Sequence, residues 1–177
     1  MNLSYCFYDE NKWFLKANIT KEMVSLANER YLTFHQNKNT VIKKDKLYAF
    51  LSEVCFEYIF DGFRYAGGYN YDYVGKDMQI DIKTTMLKVR PLLDFSAKIL
   101  AYSVKMQNNS HYVFSSAYKQ GDYHRVYFCG FISKKDVLKY GNFLKKGTII
   151  GKGVSLRVDN YEVPYKILDR DWEKLSG

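Results

Sequence analysis

The feature that most limits how this chain can fold is the three-residue break Gly75-Lys76-Asp77, which separates an aromatic, β-branched run from a strictly alternating one. Upstream, Tyr69 to Val74 suits a pleated, half-buried surface. Downstream, from Met78 to Thr84, Met78, Ile80 and Ile82 fall on one face of a strand and Gln79, Asp81 and Lys83 on the other. A glycine beside polar residues signals a turn, so this stretch is predicted to be an antiparallel hairpin. Loop length then sets the register. If the loop is the even pair Lys76-Asp77, Gly75 pairs with Met78 and Asp72 falls opposite Asp81 on the same face; an odd loop sends Asp72 to the far side.

Opposed residues on antiparallel strands bring their Cβ atoms to roughly 4.5–5.5 Å. Two carboxylates about 4 Å apart repel by ~4 kcal/mol at an effective dielectric of about 20. Folding alone does not call for such a pair. A divalent cation between them removes the penalty, and Mg²⁺ is characteristically held by one or two carboxylates with water and phosphate oxygens. Lys83 stands beside that point, where an ammonium can orient or deprotonate a water or neutralise a phosphate. The plainer alternative is an ordinary polar strand face.

Asp72, Asp81 and Lys83, spaced Asp-x8-Asp-x-Lys across a strand turn, resemble the PD-(D/E)XK, or restriction-endonuclease-like, nuclease superfamily. Tyr71 stands where the family name has proline, and the second acid is aspartate, not the commoner glutamate. The wording YVF and VYFCGFIS, followed by Ser133 with Asp136 three residues on as a helix cap, also resembles small viral and phage members of the group.

The resemblance implies an α/β (α+β) fold: a mixed central sheet flanked by helices in the order αβββαβ. It implies one domain over residues 1–177, with an N-terminal accessory segment (1–44), a catalytic core (45–135) and a C-terminal extension (136–177). It implies Mg²⁺, with Mn²⁺ as a substitute, held by Asp72, Asp81 and the carbonyl of Ile82, and a nucleic-acid substrate with DNA ahead of RNA. Relatives carry a glutamate in the first core helix that joins the metal site. Glu53 is the candidate here and Glu57 its rival. The helix expected after the motif would offer Lys98 and Lys105 to the phosphodiester backbone. A homodimer able to cut two strands, and virus-encoded action inside a host cell, also follow from the family. The alternative on the same fold is a non-catalytic basic nucleic-acid-binding or inhibitory module.

The rest of the chain sets bounds. Lys and Arg number 27 against 19 Asp and Glu, a net charge of +8, which favours a polyanionic partner and nucleic acid before membrane. Cys6, Cys55 and Cys129 are odd in number and lack C-x-x-C spacing, so they read as reduced core cysteines of an intracellular, cytoplasmic protein. No signal peptide and no apolar run of about 20 residues is present. His35, His111 and His124 have no zinc spacing, and neither a P-loop nor a nucleophile elbow occurs.

Helical spacing predicts one helix from about Lys21, capped by Thr20, to His35, with a polar linker over 36–40, and a second from Asp45 through Phe60. Residues 3–17 read as a hairpin, and 63–66 as the first core strand. A helix is expected from Asp94 or Ser96 to about Gln107, although an extended strand also fits there. Tyr112–Ala117 and Arg125–Ser133 are predicted strands, as are Val154–Val158 and Tyr161–Leu168.

Overall fold

The computed structural model describes residues 1–38, 45–121 and 123–175. It is a mixed α+β structure built on a seven-stranded sheet. A hairpin of β1 (Cys6–Tyr8) and β2 (Leu15–Ala17) leads into two helices, α1 (Lys21–Lys38) and α2 (Asp45–Ile59). An antiparallel meander follows: β3 (Arg64–Tyr65), β4 (Tyr73–Gly75) and β5 (Met78–Met86). The chain then crosses through β6 (Ser96–Leu100) and α3 (Ala101–Met106) to β7 (His111–Gln120), which runs parallel to β5. β8 (Tyr123–Ser133) returns antiparallel to β7.

After α4 (Lys134–Tyr140) come β9 (Asn142–Leu144), the short pair β10 (Ile149–Ile150) and β11 (Val154–Ser155), and β12 (Asn160–Pro164). The large sheet has the order β1-β2-β8-β7-β5-β4-β3, and a second sheet the order β6-β12-β9.

The hairpin at the centre of the sequence argument has the even loop. Gly75 pairs with Met78 and Tyr73 with Ile80, which puts Asp72 in register with Asp81. Lys76 and Asp77 both have positive φ, 50° and 57°, as a two-residue turn matched to strand twist requires. Neither is glycine, and tertiary contacts hold the conformation. Lys76 Nζ donates to the Leu175 carbonyl at 2.8 Å and lies 5.6 Å from the Phe63 ring centre. Gly75 is needed for a different reason: a Cβ there would stand 2.1 Å from the Gly62 carbonyl oxygen.

β4 begins at Tyr73, not at Tyr69 as the aromatic run suggested. The ladder gives way at Asp72. Its N–H still bonds the Ile80 carbonyl at 2.8 Å, but the Ile82 N–H bonds the Asp72 carboxylate at 2.7 Å.

Two apolar layers cover the large sheet. One joins Met23 and Ala27 of α1, Leu51, Val54 and Ile59 of α2, and Ile80, Ile82, Val113 and Phe128 of the sheet. Leu15 near the N-terminus and Trp172 and Leu175 near the C-terminus belong to the same layer. Residues from both ends of the chain thus pack into this layer beside α1, α2 and the sheet. The other layer buries Tyr112, Phe114 and Cys129 against Ala97, Ile99, Val104, Val137 and Val163. All three cysteines are buried and free.

Thr20 caps α1, its hydroxyl accepting from the Met23 N–H at 3.2 Å. Ser133 caps α4 in the same way, accepting from the Asp136 N–H at 3.0 Å. α1 runs past His35 to Lys38, so residues 36–38 of the expected linker are helical; its remainder, and the side chain of His35, lie outside the described residues.

The helix expected over 94–107 is a correction. Residues 96–100 form strand β6, and only Ala101–Met106 is helical. Ala97 and Ile99 are buried while Ser96 and Lys98 face Glu162 across the pairing with β12. That partner lies more than sixty residues away, and a non-local pairing overrode local helix propensity. The two late strands are also shorter than expected: β11 stops at Ser155, and β12 stops at Pro164, where the chain turns into a short 3-10 helix over Tyr165–Ile167. Among the described residues no helix is long and apolar enough to cross a membrane.

Candidate active site

The point where β4 parts from β5 opens a pocket of about 550 Å³. Glu53, Asp72, Asp81, Ile82 and Lys83 line it, together with Tyr69 and Gln107. Each side chain arrives by a separate device. Asp81 and Lys83 share a face of β5 by strand alternation. Asp72 is the last residue before β4 and is fixed by the Ile82 N–H at 2.7 Å. Glu53 comes from α2, whose apolar face packs against β5. The N–H and C=O of one strand residue point to the same edge, so the Ile82 carbonyl opens beside the Asp72 carboxylate.

The electrostatics are strained in a specific way. Burial pushes the Asp72 carboxyl up to about 7, reinforced by the Asp81 charge and partly offset by the Ile82 N–H and by Lys83. Asp81 is also raised by burial, although Lys83 opposes the shift. Glu53 lies well above the ordinary carboxylate range, through burial first and the neighbouring Asp72 charge second. Two buried acids, Glu53 and Asp81, and the half-buried Asp72 thus line one pocket with Lys83.

Lys83 Nζ stands 2.6 Å from Asp81 Oδ2, at an angle that leaves this buried oxygen without a well-directed hydrogen bond. The charges attract, but the lone pairs of Asp81 Oδ2 are not saturated. No three His, Cys, Asp or Glu groups among the described residues converge tightly enough to enclose a metal by themselves.

The two helix acids are distinguished by their partners. Glu57 pairs with Arg30 of α1 at 2.6 Å and receives the Tyr73 hydroxyl at 3.2 Å, whereas Glu53 lines the pocket. Arg30 also lies over the Tyr65 ring, 3.9 Å from its centre. The Tyr73 hydroxyl is 2.8 Å from the Glu53 carbonyl, so this network braces the helix turn that carries Glu53.

No family model, no curated protein and no solved structure matches this chain. The residues of the site carry the functional argument unaided.

Lys98 is not at the pocket. It sits on β6, not on a helix, and pairs with Glu162 at 3.0 Å. Lys105 is exposed on α3 and lines a neighbouring cavity. Gln107, which sequence reasoning passed over, ends α3 with only 7% of its surface exposed. Its amide nitrogen donates to the Tyr69 carbonyl at 2.7 Å, while its Oε1 is buried without a partner. A polar residue closing a short helix is common, and nothing in the sequence marked this one. Tyr69 was visible only as part of an aromatic strand; in the structure it is a loop residue at the pocket wall.

Proposed function

We propose that this chain is a divalent-metal-dependent nuclease, hydrolysing phosphodiester bonds, with DNA as the expected substrate and a restriction-endonuclease-like core. The observation that carries the reading is the gathering of Asp72, Asp81 and Lys83 at one pocket by the two-residue hairpin loop. The order α2, β3–β4–β5, crossover through α3, and β7 parallel to β5 supports it, since this is the order the resemblance implies.

The donor set fits a hard cation. It consists of oxygens only, two of the carboxylates are in register, and one of their buried atoms lacks a directed partner. Asp72 and Asp81 with the Ile82 carbonyl would hold Mg²⁺ or Mn²⁺, leaving places for water and substrate. A bound cation would supply charge neutralisation at the phosphate and a more acidic water.

The protein's own groups do the remainder. Lys83, partly exposed beside Asp81, orients the attacking water or offsets charge building on the phosphate oxygens. Glu53 lines the same pocket from α2 and, through burial and the Asp72 charge, holds its proton more tightly than an ordinary carboxylate, as a group that assists by donating a proton needs to.

A second reading, a non-catalytic nucleic-acid-binding or inhibitory module, is favoured by one feature away from the acids. Lys16, Lys21 and Arg125 border a cavity of about 440 Å³ at the other end of the sheet, beside exposed Phe7 and Tyr123. Cations interleaved with aromatic faces suit nucleic acid whether or not it is cut.

One assay separates the readings. Plasmid, single-stranded DNA and RNA are incubated with Mg²⁺, Mn²⁺ or EDTA, beside Asp81→Ala and Lys83→Ala. The nuclease reading expects cleavage that EDTA and both substitutions abolish. Salt-sensitive binding without cleavage overturns it in favour of the module.

A further inference from the structure

A second cavity borders α3, the helix that leads into Gln107 of the acidic pocket. Tyr69 lines the pocket and is 63% exposed; its hydroxyl lies close to that of Tyr102, which is 65% exposed on α3. Tyr102 in turn borders a cavity of about 570 Å³, together with Leu100, Lys105, Val158 and Asp159. Leu100 and Val158 are about half exposed, so an apolar slot lies open beside an aromatic face. Lys105 follows Tyr102 by three residues and shares its side of the helix. A cation thus stands at the lip of the slot, on the same chain segment as the ring. The tyrosine loop is fixed from beneath, because buried Gln107 donates to the Tyr69 carbonyl at 2.7 Å.

Large apolar side chains left open to solvent in a connected patch, next to a reactive pocket, mark a binding surface. The chemistry of the patch selects its occupant. Tyr102 and the aliphatic wall fit the flat face of a nucleobase, Lys105 fits a phosphate, and the Asp159 carboxylate can accept from an exocyclic amine. In a duplex both faces of each base are covered by stacked neighbours, so only an unpaired base can lie on Tyr102.

We propose that the Tyr69–Tyr102 pair and its adjoining slot hold an unpaired nucleotide flanking the scissile phosphate, which makes single-stranded or locally unpaired nucleic acid the substrate class of this pocket. The inference rests on the nuclease reading for the phosphate beside the acids, but the base-binding half stands on the tyrosine slot alone.

The test uses the full chain with a fluorescein-labelled oligonucleotide, either single-stranded or annealed to its complement. Anisotropy is read in the Asp81→Asn background, which separates binding from cleavage, and cleavage is read with Mg²⁺ in the chain carrying Asp81. Single strands are expected to bind more tightly than the duplex. Tyr102→Ala is expected to weaken single-strand binding by about 5- to 150-fold, the range for one lost base stack, while Tyr102→Trp retains it. Tyr102 is exposed, so neither change disturbs the core.

Equal affinity for duplex and single strand, or unchanged single-strand binding in Tyr102→Ala, overturns the proposal. The two readings fail separately. Cleavage unaffected by Tyr102→Ala removes the stacking site and leaves the nuclease. Single-strand binding that depends on Tyr102, without cleavage in Mg²⁺ or Mn²⁺, supports the stacking site and removes the nuclease.

Discussion

Replacing Asp72 by Asn removes one of two facing carboxylates while keeping an oxygen to accept from the Ile82 N–H. The consequence for stability runs against the usual cost of changing a buried residue. The Asp72 carboxyl is raised from 3.8 to about 7, with burial the largest cause and the Asp81 charge the next. Between those values the folded state keeps a proton that the unfolded chain has released. Stability therefore falls as pH rises through this window and stays low above it. The whole displacement corresponds to ~4 kcal/mol as an upper bound. Asn carries no such penalty.

In EDTA at about pH 8, Asp72→Asn should be more stable than the unsubstituted chain, with the gap narrowing towards pH 4. At ~2–4 °C per kcal/mol for a chain of this size, the difference in Tm reaches at most about 8–16 °C. Mg²⁺ should narrow the gap. At a hundred times its Kd it adds ~2.7 kcal/mol to a chain that binds it, and the variant should gain little. Thermal melts across pH, with EDTA and with Mg²⁺, check this. An Asp72→Asn chain no more stable than its parent in EDTA at about pH 8 refutes the reasoning, because burial and the Asp81 charge would then not be penalising the Asp72 carboxylate.

Two other outcomes follow from the same geometry. Lys83→Met should lower cleavage by about 10²–10⁴-fold with cation binding retained, measured by comparing single-turnover rates with metal titrations. Gly75→Ala should destabilise the chain by ~3 kcal/mol or more, because its Cβ would meet the Gly62 carbonyl oxygen at 2.1 Å. Chemical denaturation reads this directly.

The parts of the fold that were legible in the sequence are those decided locally. Alternation over Met78–Ile82 and the break at Gly75 placed the hairpin and reduced its register to a choice of loop length, and the two-residue loop of the structure puts Asp72 opposite Asp81. Ser133 and Asp136 marked a helix start that depends on neighbouring atoms alone. Residues 96–107 failed for the opposite reason. β6 exists because β12 pairs with it, and Glu162 explains Lys98 better than any nucleic-acid contact does. The same distance effect hid the role of the chain ends. Leu15, Trp172 and Leu175 meet around α2 only once the sheet has formed. At the site, the acids and the lysine were readable from spacing. Arg30, which separates Glu57 from Glu53 by pairing with the former, and Gln107, which pins the Tyr69 loop, act across long stretches of sequence and left no local trace.

The account depends on Asp72 and Asp81 sharing one cation, and the most direct measurement is Mn²⁺ binding followed by electron paramagnetic resonance, in which free aqueous Mn²⁺ loses its signal when bound. The chain should take up Mn²⁺ and release it to excess Mg²⁺, and Asp81→Asn should leave the free-ion signal undiminished. Equal uptake by the Asp81→Asn chain, or none by either, contradicts the claim.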